Sequence, residues 1–243
     1  MQLLWEHREG LQADSILYHF HDGVVGHYMA FNSAGDMVFH RMLNQVEAAH
    51  AESVMHEIGA SKLVQLSLNT IFKAVPPIFK TSPVPELSEK VVCTDLTPEL
   101  SICSNAGEFV SLALPFSLMA HYRRSHFDHF VLVFVHNATA LISVYVGEQL
   151  LLLNSFPVAN EAEVLYFAVA ALKKAGINIQ NARVELLAEE HASHTIIELF
   201  RRFLNNTAYC PINLPYSLDQ LPPQAHIAAL MHLMPQCALP EEI

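Results

Sequence analysis

The residues with the clearest potential for chemistry are histidines, of which the chain has 15. His19 and His21 alternate in a strand-like segment, so both imidazoles point to the same face of that strand. His27 joins them if the register of the following hairpin allows it. A neutral imidazole is a common zinc ligand, but a zinc site requires at least a third ligand close by. His19 and His21 are therefore the candidate metal ligands, and ordinary surface or hydrogen-bonded histidines are the alternative.

The other possible catalytic motifs are incomplete or absent. His56-Glu57 begins like a zincin signature, but Ala60 stands where the second histidine is required. The chain also lacks a Walker A loop, a G-x-G-x-x-G fingerprint and a G-x-S-x-G elbow. Two further histidine pairs have a spacing of three residues and no complete ligand set: His126 with His129, and His191 with His194. We therefore assign no catalytic residue from the sequence.

Composition and net charge narrow the kinds of protein to which this chain can belong. The chain has 243 residues, of which 52% are hydrophobic and 15% charged. It can therefore bury a large core as one domain or as two of about 100–120 residues. Its net charge of −11 disfavours binding to nucleic acid. None of the four cysteines forms a C-x-x-C pair, which favours reduced thiols and a cytoplasmic location.

No segment has the pattern of a membrane or targeting signal. The N-terminus lacks a basic region followed by an apolar run, so it does not resemble a signal peptide. The uncharged run from Phe130 to Val146 is rich in β-branched residues and is interrupted by His136-Asn137. We interpret it as two buried strands joined by a turn, and we predict no transmembrane segment.

The second half of the chain has a clear order of elements. Three strand-like runs with very short links predict an antiparallel meander, at 130–135, 139–146 and 149–156. A helix then begins at the N-cap Asn160, with Glu163 placed for a capping box, and ends at Gly176. A strand at 183–188 and a helix at about 193–204 follow.

The first half repeats this order. Strand-like runs at 15–21, 25–31 and 37–43 precede a helix that we expect Asn44 to cap and Gly59 to end, and a strand follows at 62–68. Corresponding turns, caps and glycines are offset by 112 to 117 residues. We interpret this as an internal duplication of about 115 residues, with chance alignment as the alternative. The expected halves are residues 1–115 and residues 116–243, the second with a C-terminal tail.

The connections between these elements are less regular. Five prolines between residues 76 and 98 predict an irregular region, with at most a short helix. A helix is expected at 115–126, leading into the second half. The proline-containing tail is expected to hold one short helix near 224–234.

The predicted topology resembles the duplicated ribonuclease-H-like architecture of actin-like ATPases. The stretch LLLNSFPVANEAEVLYFAVAALKKAGI at residues 151–177 is similar to an uncharacterised bacterial family with this fold. The resemblance implies an α/β protein in which each half is a three-stranded meander followed by alternating helices and strands. It transfers no catalytic residue. The fold is shared with pilus-assembly and cell-division proteins that act as membrane-associated scaffolds.

An actin-like ATPase requires glycines and carboxylates at the first turn of each half, where they hold phosphates and magnesium. Asp22, Gly23 and Gly26 are the residues that could form such a nucleotide site, although their order differs from the usual Asp-x-Gly-Thr. The corresponding turn at residues 136–139 has neither a carboxylate nor a glycine. An ordinary Asp-Gly hairpin turn is the competing interpretation.

Two functional hypotheses follow. The first is a degenerate, non-catalytic actin-like fold that binds an unidentified protein or forms a homo-oligomer. The second is a protein that binds or hydrolyses ATP, with magnesium, at an atypical site expected in the cleft between the halves, where Asp22 and Gly23 would lie. The sequence favours the first hypothesis, because the second phosphate turn is missing.

Overall fold

The computed structural model describes residues 2–6, 10–44, 49–68, 72–75, 91–97, 100–105, 109–212, 214 and 224–237. The chain forms two compact units. The first contains Met1–Pro115, Leu214–Pro222 and Ala228–Ile243. The second contains Phe116–Asn213 and Pro223–Ile227.

Strands outnumber helices along the described residues. The strands are β1 Gln2–Glu6, β2 Ile16–His21, β3 Val25–Phe31, β4 Met37–Asn44, β5 Lys62–Ser67, β6 Phe72–Val75, β7 Val91–Thr97, β8 Leu100–Asn105, β9 Phe109–Ser111, β10 His129–His136, β11 Thr139–Val146, β12 Gln149–Pro157, β13 Arg183–Ala188 and β14 Asn206–Tyr209. The helices are α1 Ala49–Ile58, α2 Ala113–Arg124, α3 Glu161–Lys174, α4 Glu190–Arg201 and α5 Ala225–Met231. A short 3₁₀ helix follows at Met234–Gln236. Among the described residues, no helix has both the length and the apolar character needed to cross a membrane.

The main sheets of the two units share an order of five strands, to which β1 adds a sixth strand beside β4 in the first unit. In the first unit the order is β1-β4-β3-β2-β5-β9, and in the second it is β12-β11-β10-β13-β14. Each contains an antiparallel meander whose first strand pairs in parallel with the strand that follows the helix: β2 with β5, and β10 with β13. A further parallel strand lies beyond, β9 or β14. The predicted α/β fold with two similar halves is therefore confirmed.

The units differ between their last two parallel strands. In the second unit α4 connects β13 to β14. In the first unit the described residues between β5 and β9 form a small antiparallel sheet of order β6-β8-β7. The predicted irregular region is wrong at residues 91–97, which form β7, while residues 76–90 lie outside the described ranges.

The predicted N-cap of α3 and the glycine ends of α1 and α3 are confirmed, whereas the helix predicted at about 193–204 is α4, Glu190–Arg201. The Asn160 side chain accepts a hydrogen bond from the Glu163 backbone N–H, and Glu163 accepts one from Ala159 in return. Gly59 and Gly176 adopt the left-handed conformation that ends α1 and α3. The prediction that Asn44 caps α1 is wrong. Asn44 pairs with Val25 as the last residue of β4, and α1 begins at Ala49.

The central strand of the second unit is covered on both faces. Val131, Val133 and Val135 pack into a cluster with buried residues of α3 and α4. The opposite face carries Phe130, Leu132 and Phe134, and Phe134 contacts Phe116 of α2 with ring centroids 6.4 Å apart. The sequence of a strand that is buried on both faces is a continuous run of apolar residues.

The first sheet has the same two-sided cover. One face packs against α1 through a cluster that includes Leu17, Tyr28 and Val54. The other face carries Phe31, whose ring lies 5.9 Å from that of His232 in the C-terminal segment. This contact agrees with the assignment of residues 228–243 to the first unit.

A buried ion pair joins α2 to the second sheet. The Glu185 side chain on β13 is fully buried. Its oxygens accept hydrogen bonds from Arg123 Nε and Nη2 at 2.6 and 2.7 Å, and Arg183 Nη2 lies 3.2 Å from Oε1. Two guanidinium groups therefore compensate one carboxylate that has lost its hydration.

Replacing this carboxylate tests its structural role. We expect Glu185→Ala to lower the free energy of unfolding by about 3–5 kcal/mol, because it leaves Arg123 without its buried partner. Glu198→Ala, at an exposed position of α4, is the matched control and should change stability by about 0.5 kcal/mol or less. Urea unfolding of both variants measures the difference. Equal midpoints for the two would contradict the assignment.

Candidate functional site

The candidate nucleotide residues lie together at the hairpin turn between β2 and β3. Gly23 has a φ of +95° and takes the left-handed conformation that the turn requires. Asp22 Oδ1 accepts hydrogen bonds from the backbone N–H groups of Val24 at 2.8 Å and Val25 at 2.7 Å. The Asp22 N–H donates to the Val25 carbonyl at 3.2 Å. Gly26 pairs with His21 in the strand ladder.

This geometry limits what the turn can bind. A phosphate turn works because backbone N–H groups point at the ligand. Here the N–H groups of Val24 and Val25 donate to Asp22 itself. The carboxylate thus occupies the position that an anion would take, and the hydrogen bonds that hold it are those of a side-chain-capped turn. Nucleotide binding at Asp22, Gly23 and Gly26 stays a prediction.

The corresponding turn of the second unit has different chemistry. Asn137 adopts a φ of +50° between the paired residues His136 and Thr139. The Asn137 amide nitrogen lies 3.3 Å from His136 Nε2, and His136 Nδ1 lies 2.9 Å from Nε2 of His226. With Asn137 donating to Nε2, the proton of His136 is on Nδ1 and is donated to His226. The turn therefore presents a hydrogen-bonded chain of one amide and two imidazoles, without a carboxylate.

Sequence reasoning missed the role of His226. It lies 90 residues after His136 and is almost fully buried. No local spacing pattern connects the two residues, because their contact is a long-range tertiary one.

The candidate metal ligands share one face of β2, as their alternation predicts. The rings of His19 and His21 lie 6.2 Å apart, and His19 stacks on Tyr28 with centroids 4.5 Å apart. His27 is opposite Phe20 in the ladder, so it lies on the other face of the sheet and does not join the pair. His27 contacts His40 there instead, at 3.4 Å between ring nitrogens.

A complete set of metal ligands is not assembled in the described part of the chain. No group of three histidine, cysteine or acidic side chains has the arrangement needed to hold a metal ion there. Among the described residues neither ring nitrogen of the buried His19 finds a hydrogen-bond partner. The metal assignment of His19 and His21 stays a prediction.

Burial keeps these groups neutral. Desolvation is the largest cause that lowers the pKa of His19 to about 4, and the nearby His21 and His27 lower it further. The pKa of His40 lies well below 6.5, again through burial first and His27 second. Burial raises the pKa of both Cys210 and Cys237 to about 12, so neither thiol has the thiolate character of a nucleophile.

Comparisons with known proteins agree with the topology. Residues 105–207 match a family model described as Protein of unknown function (DUF3822). A protein with actin-like ATPase fold and unknown function from Bacteroides thetaiotaomicron aligns with a TM-score of 0.62 and 14% identity. That alignment covers 84% of this chain and 93% of the other.

A second solved structure supports the same fold. A chain of the PilM-PilN type IV pilus biogenesis complex aligns with a TM-score of 0.56 and 12% identity, covering 93% of this chain and 99% of the other. Among curated proteins, none matches this sequence significantly. The chain has an actin-like ATPase fold, and identities this low establish nothing beyond the fold.

The buried histidines predict a stability that depends on pH. The native pKa of His40 lies below its value in the unfolded chain, so only the unfolded state takes up a proton just below pH 6.5. The stabilising contribution of neutral His40 is complete above pH 6.5. As the pH falls further, the free energy of unfolding decreases by about 1.4 kcal/mol per pH unit. Unfolding free energies at several pH values should show a smaller slope for His40→Leu than for the wild type. Parallel curves for the wild type and His40→Leu would contradict the assignment.

Proposed function

We propose that this chain is a degenerate, non-catalytic actin-like fold that acts as a protein-binding scaffold. The observation that carries this proposal is the hydrogen bonding of the first turn. Asp22 Oδ1 accepts from the same backbone N–H groups that a bound phosphate would need. Nucleotide phosphate could enter only after the Asp22 carboxylate had left these donors.

The second turn supports the proposal independently. Actin-like catalysis uses carboxylates and glycines from the first turn of both halves to hold phosphate, magnesium and water. His136, Asn137 and Ala138 supply no carboxylate and no glycine, and the His136 ring is hydrogen-bonded to His226. Neutral imidazole and amide groups cannot replace the charge that carboxylates provide for magnesium.

The similarity to a chain of the pilus biogenesis complex supports a role in assembly. That structure contains PilM together with PilN. A binding role requires surface that can be shared with another protein. In the described residues the most exposed large apolar side chains are Val24 and Tyr166, at 64% and 66% exposure. Val24 projects from the first turn, at the place where a nucleotide-binding protein would need a close approach of the ligand.

The alternative function is nucleotide binding or ATP hydrolysis at an atypical site that includes Asp22, Gly23 and Gly26. The acidic turn would then hold magnesium, and Gly26 would allow close approach of the phosphates. This alternative requires the turn to rearrange when nucleotide binds, and nucleotide titration separates it from the scaffold proposal.

We expect calorimetric titration with ATP or GTP, with and without magnesium, to detect no binding up to millimolar nucleotide. Asp22→Ala should lower the free energy of unfolding by about 1–2 kcal/mol, because two backbone N–H groups lose their acceptor. Asp22→Asn keeps the Oδ1 acceptor and should remain closer to the wild type. Micromolar binding by the wild type that is lost in Asp22→Ala would overturn the proposal and favour the nucleotide-binding alternative.

A further inference from the structure

The strand at one edge of the second sheet is long, apolar and uncharged. β12 pairs only with β11 among the described strands. Its sequence, QLLLLNSFP, contains no charged residue, although the whole chain has a net charge of −11. Leu151 is 40% exposed, and Leu150, Leu152, Leu153 and Phe156 are only partly buried. Edge strands are normally protected by charges or by a covering segment.

The backbone of β12 shows which groups face outward. The Val158 N–H donates to the Ala138 carbonyl of the neighbouring hairpin at 2.9 Å. In an antiparallel ladder the direction of the N–H and C=O groups alternates along the strand. Phe156, Asn154 and Leu152 therefore direct these groups toward β11, while Ser155 and Leu153 direct theirs outward. Pro157, which lacks an N–H, occupies an outward position, where edge strands tolerate proline.

The side chains around this edge form one apolar surface. The Phe156 ring stacks on Phe167 of α3, with centroids 4.4 Å apart. Tyr166 contacts Phe167 edge-on at 5.3 Å and is 66% exposed. An exposed aromatic next to an open strand edge is a feature of interaction surfaces.

Two features limit the part of β12 that can pair with another strand to a few residues. The register between β11 and β12 shifts at Val144 and Tyr145, which leaves Leu151 as an extra residue in a bulge. Pro157 removes the next outward donor at the other end. The segment between them is 152–156, and the nearest charged residues, Glu148 and Glu161, lie outside it. A segment this short can pair with one other strand, but the pairing does not propagate into a fibre.

We propose that two copies of this chain form a homodimer by antiparallel pairing of β12 with β12. The two-fold axis passes beside Asn154, so Leu153 of each copy is opposite Ser155 of the other. Their outward groups then make four backbone hydrogen bonds. Leu152 is opposite Phe156 of the second copy, and Asn154 is opposite Asn154. The paired segments themselves contain no charged residue, and the pairing joins two five-stranded sheets into one of ten strands.

This pairing deepens the proposed scaffold function by naming its first partner, and it rests on the chain being a protein-binding module. A second copy fits the edge because the two-fold operation presents an identical uncharged strand in the complementary direction. The nucleotide titration does not depend on β12, so the two proposals can fail separately.

Sedimentation equilibrium of the full chain at moderate salt tests the dimer. Ser155→Pro removes an outward N–H from each copy without removing a hydrogen bond to β11, and we expect it to raise the dimer dissociation constant at least tenfold. Ser155→Ala keeps that N–H and should dimerise like the wild type. Circular dichroism and urea unfolding confirm that both variants are folded. A wild type that is monomeric at all concentrations, or a Ser155→Pro variant that dimerises equally well, would overturn the proposal.

Oxidative cross-linking tests the register. In a non-hydrogen-bonded antiparallel pair, facing Cβ atoms lie about 4.5–5.5 Å apart, close enough for a disulfide to form with small adjustments. Asn154→Cys should therefore give a covalent dimer under mild oxidation. Leu151→Cys is exposed as well, but its copies would lie about 20 Å apart in this register and should not cross-link. Equal cross-linking of both variants would contradict the two-fold axis at Asn154.

Discussion

The two-sided burial of the central strands is the constraint from which most of this structure follows. β2 and β10 each start an antiparallel meander, and each also pairs in parallel with the strand that follows α1 or α3, respectively. A parallel neighbour requires a connection that crosses one face of the sheet, and helices provide it here. The other face must then be covered by a different segment. Residues 116–124 do this in the second unit, and the C-terminal segment contributes cover in the first.

The same constraint sets the chemistry of the polar groups inside. A carboxylate or imidazole between two covered faces must find partners or remain neutral, because desolvation opposes its charge. Glu185 stays paired because Arg123 and Arg183 both reach it. At His19 and His40 burial lowers the pKa of the imidazole, and neighbouring histidines lower it further. His19 and His40 are thus neutral at a pH where an exposed imidazole would be partly charged.

The sequence predicted the elements whose signals are local. β10, β11 and β13 were placed to within one residue, because their apolar runs are bounded by residues suited to turns, such as Asn137 and Gly147. The errors arise where pairing with distant residues decides the local structure. Asn44 has a good capping side chain, yet the β3 ladder extends to include it. Three further features depend on register or on distant segments, which single-residue patterns do not encode: the small sheet of β6, β7 and β8, the face of His27, and the contact of His226.

The β2–β3 and β10–β11 turns show how a duplicated protein can keep the same fold in both halves while the chemical groups at its turns differ. Both turns contain a residue with positive φ, Gly23 and Asn137, because the tight reversal of a hairpin requires it. A carboxylate is present in only one turn, and there its hydrogen bonds stabilise the turn itself. The feature the turns share is thus the one that backbone geometry demands, while the groups that phosphate chemistry would need differ between them. A fold maintained by packing and turn geometry can therefore accommodate different chemical groups at its turns.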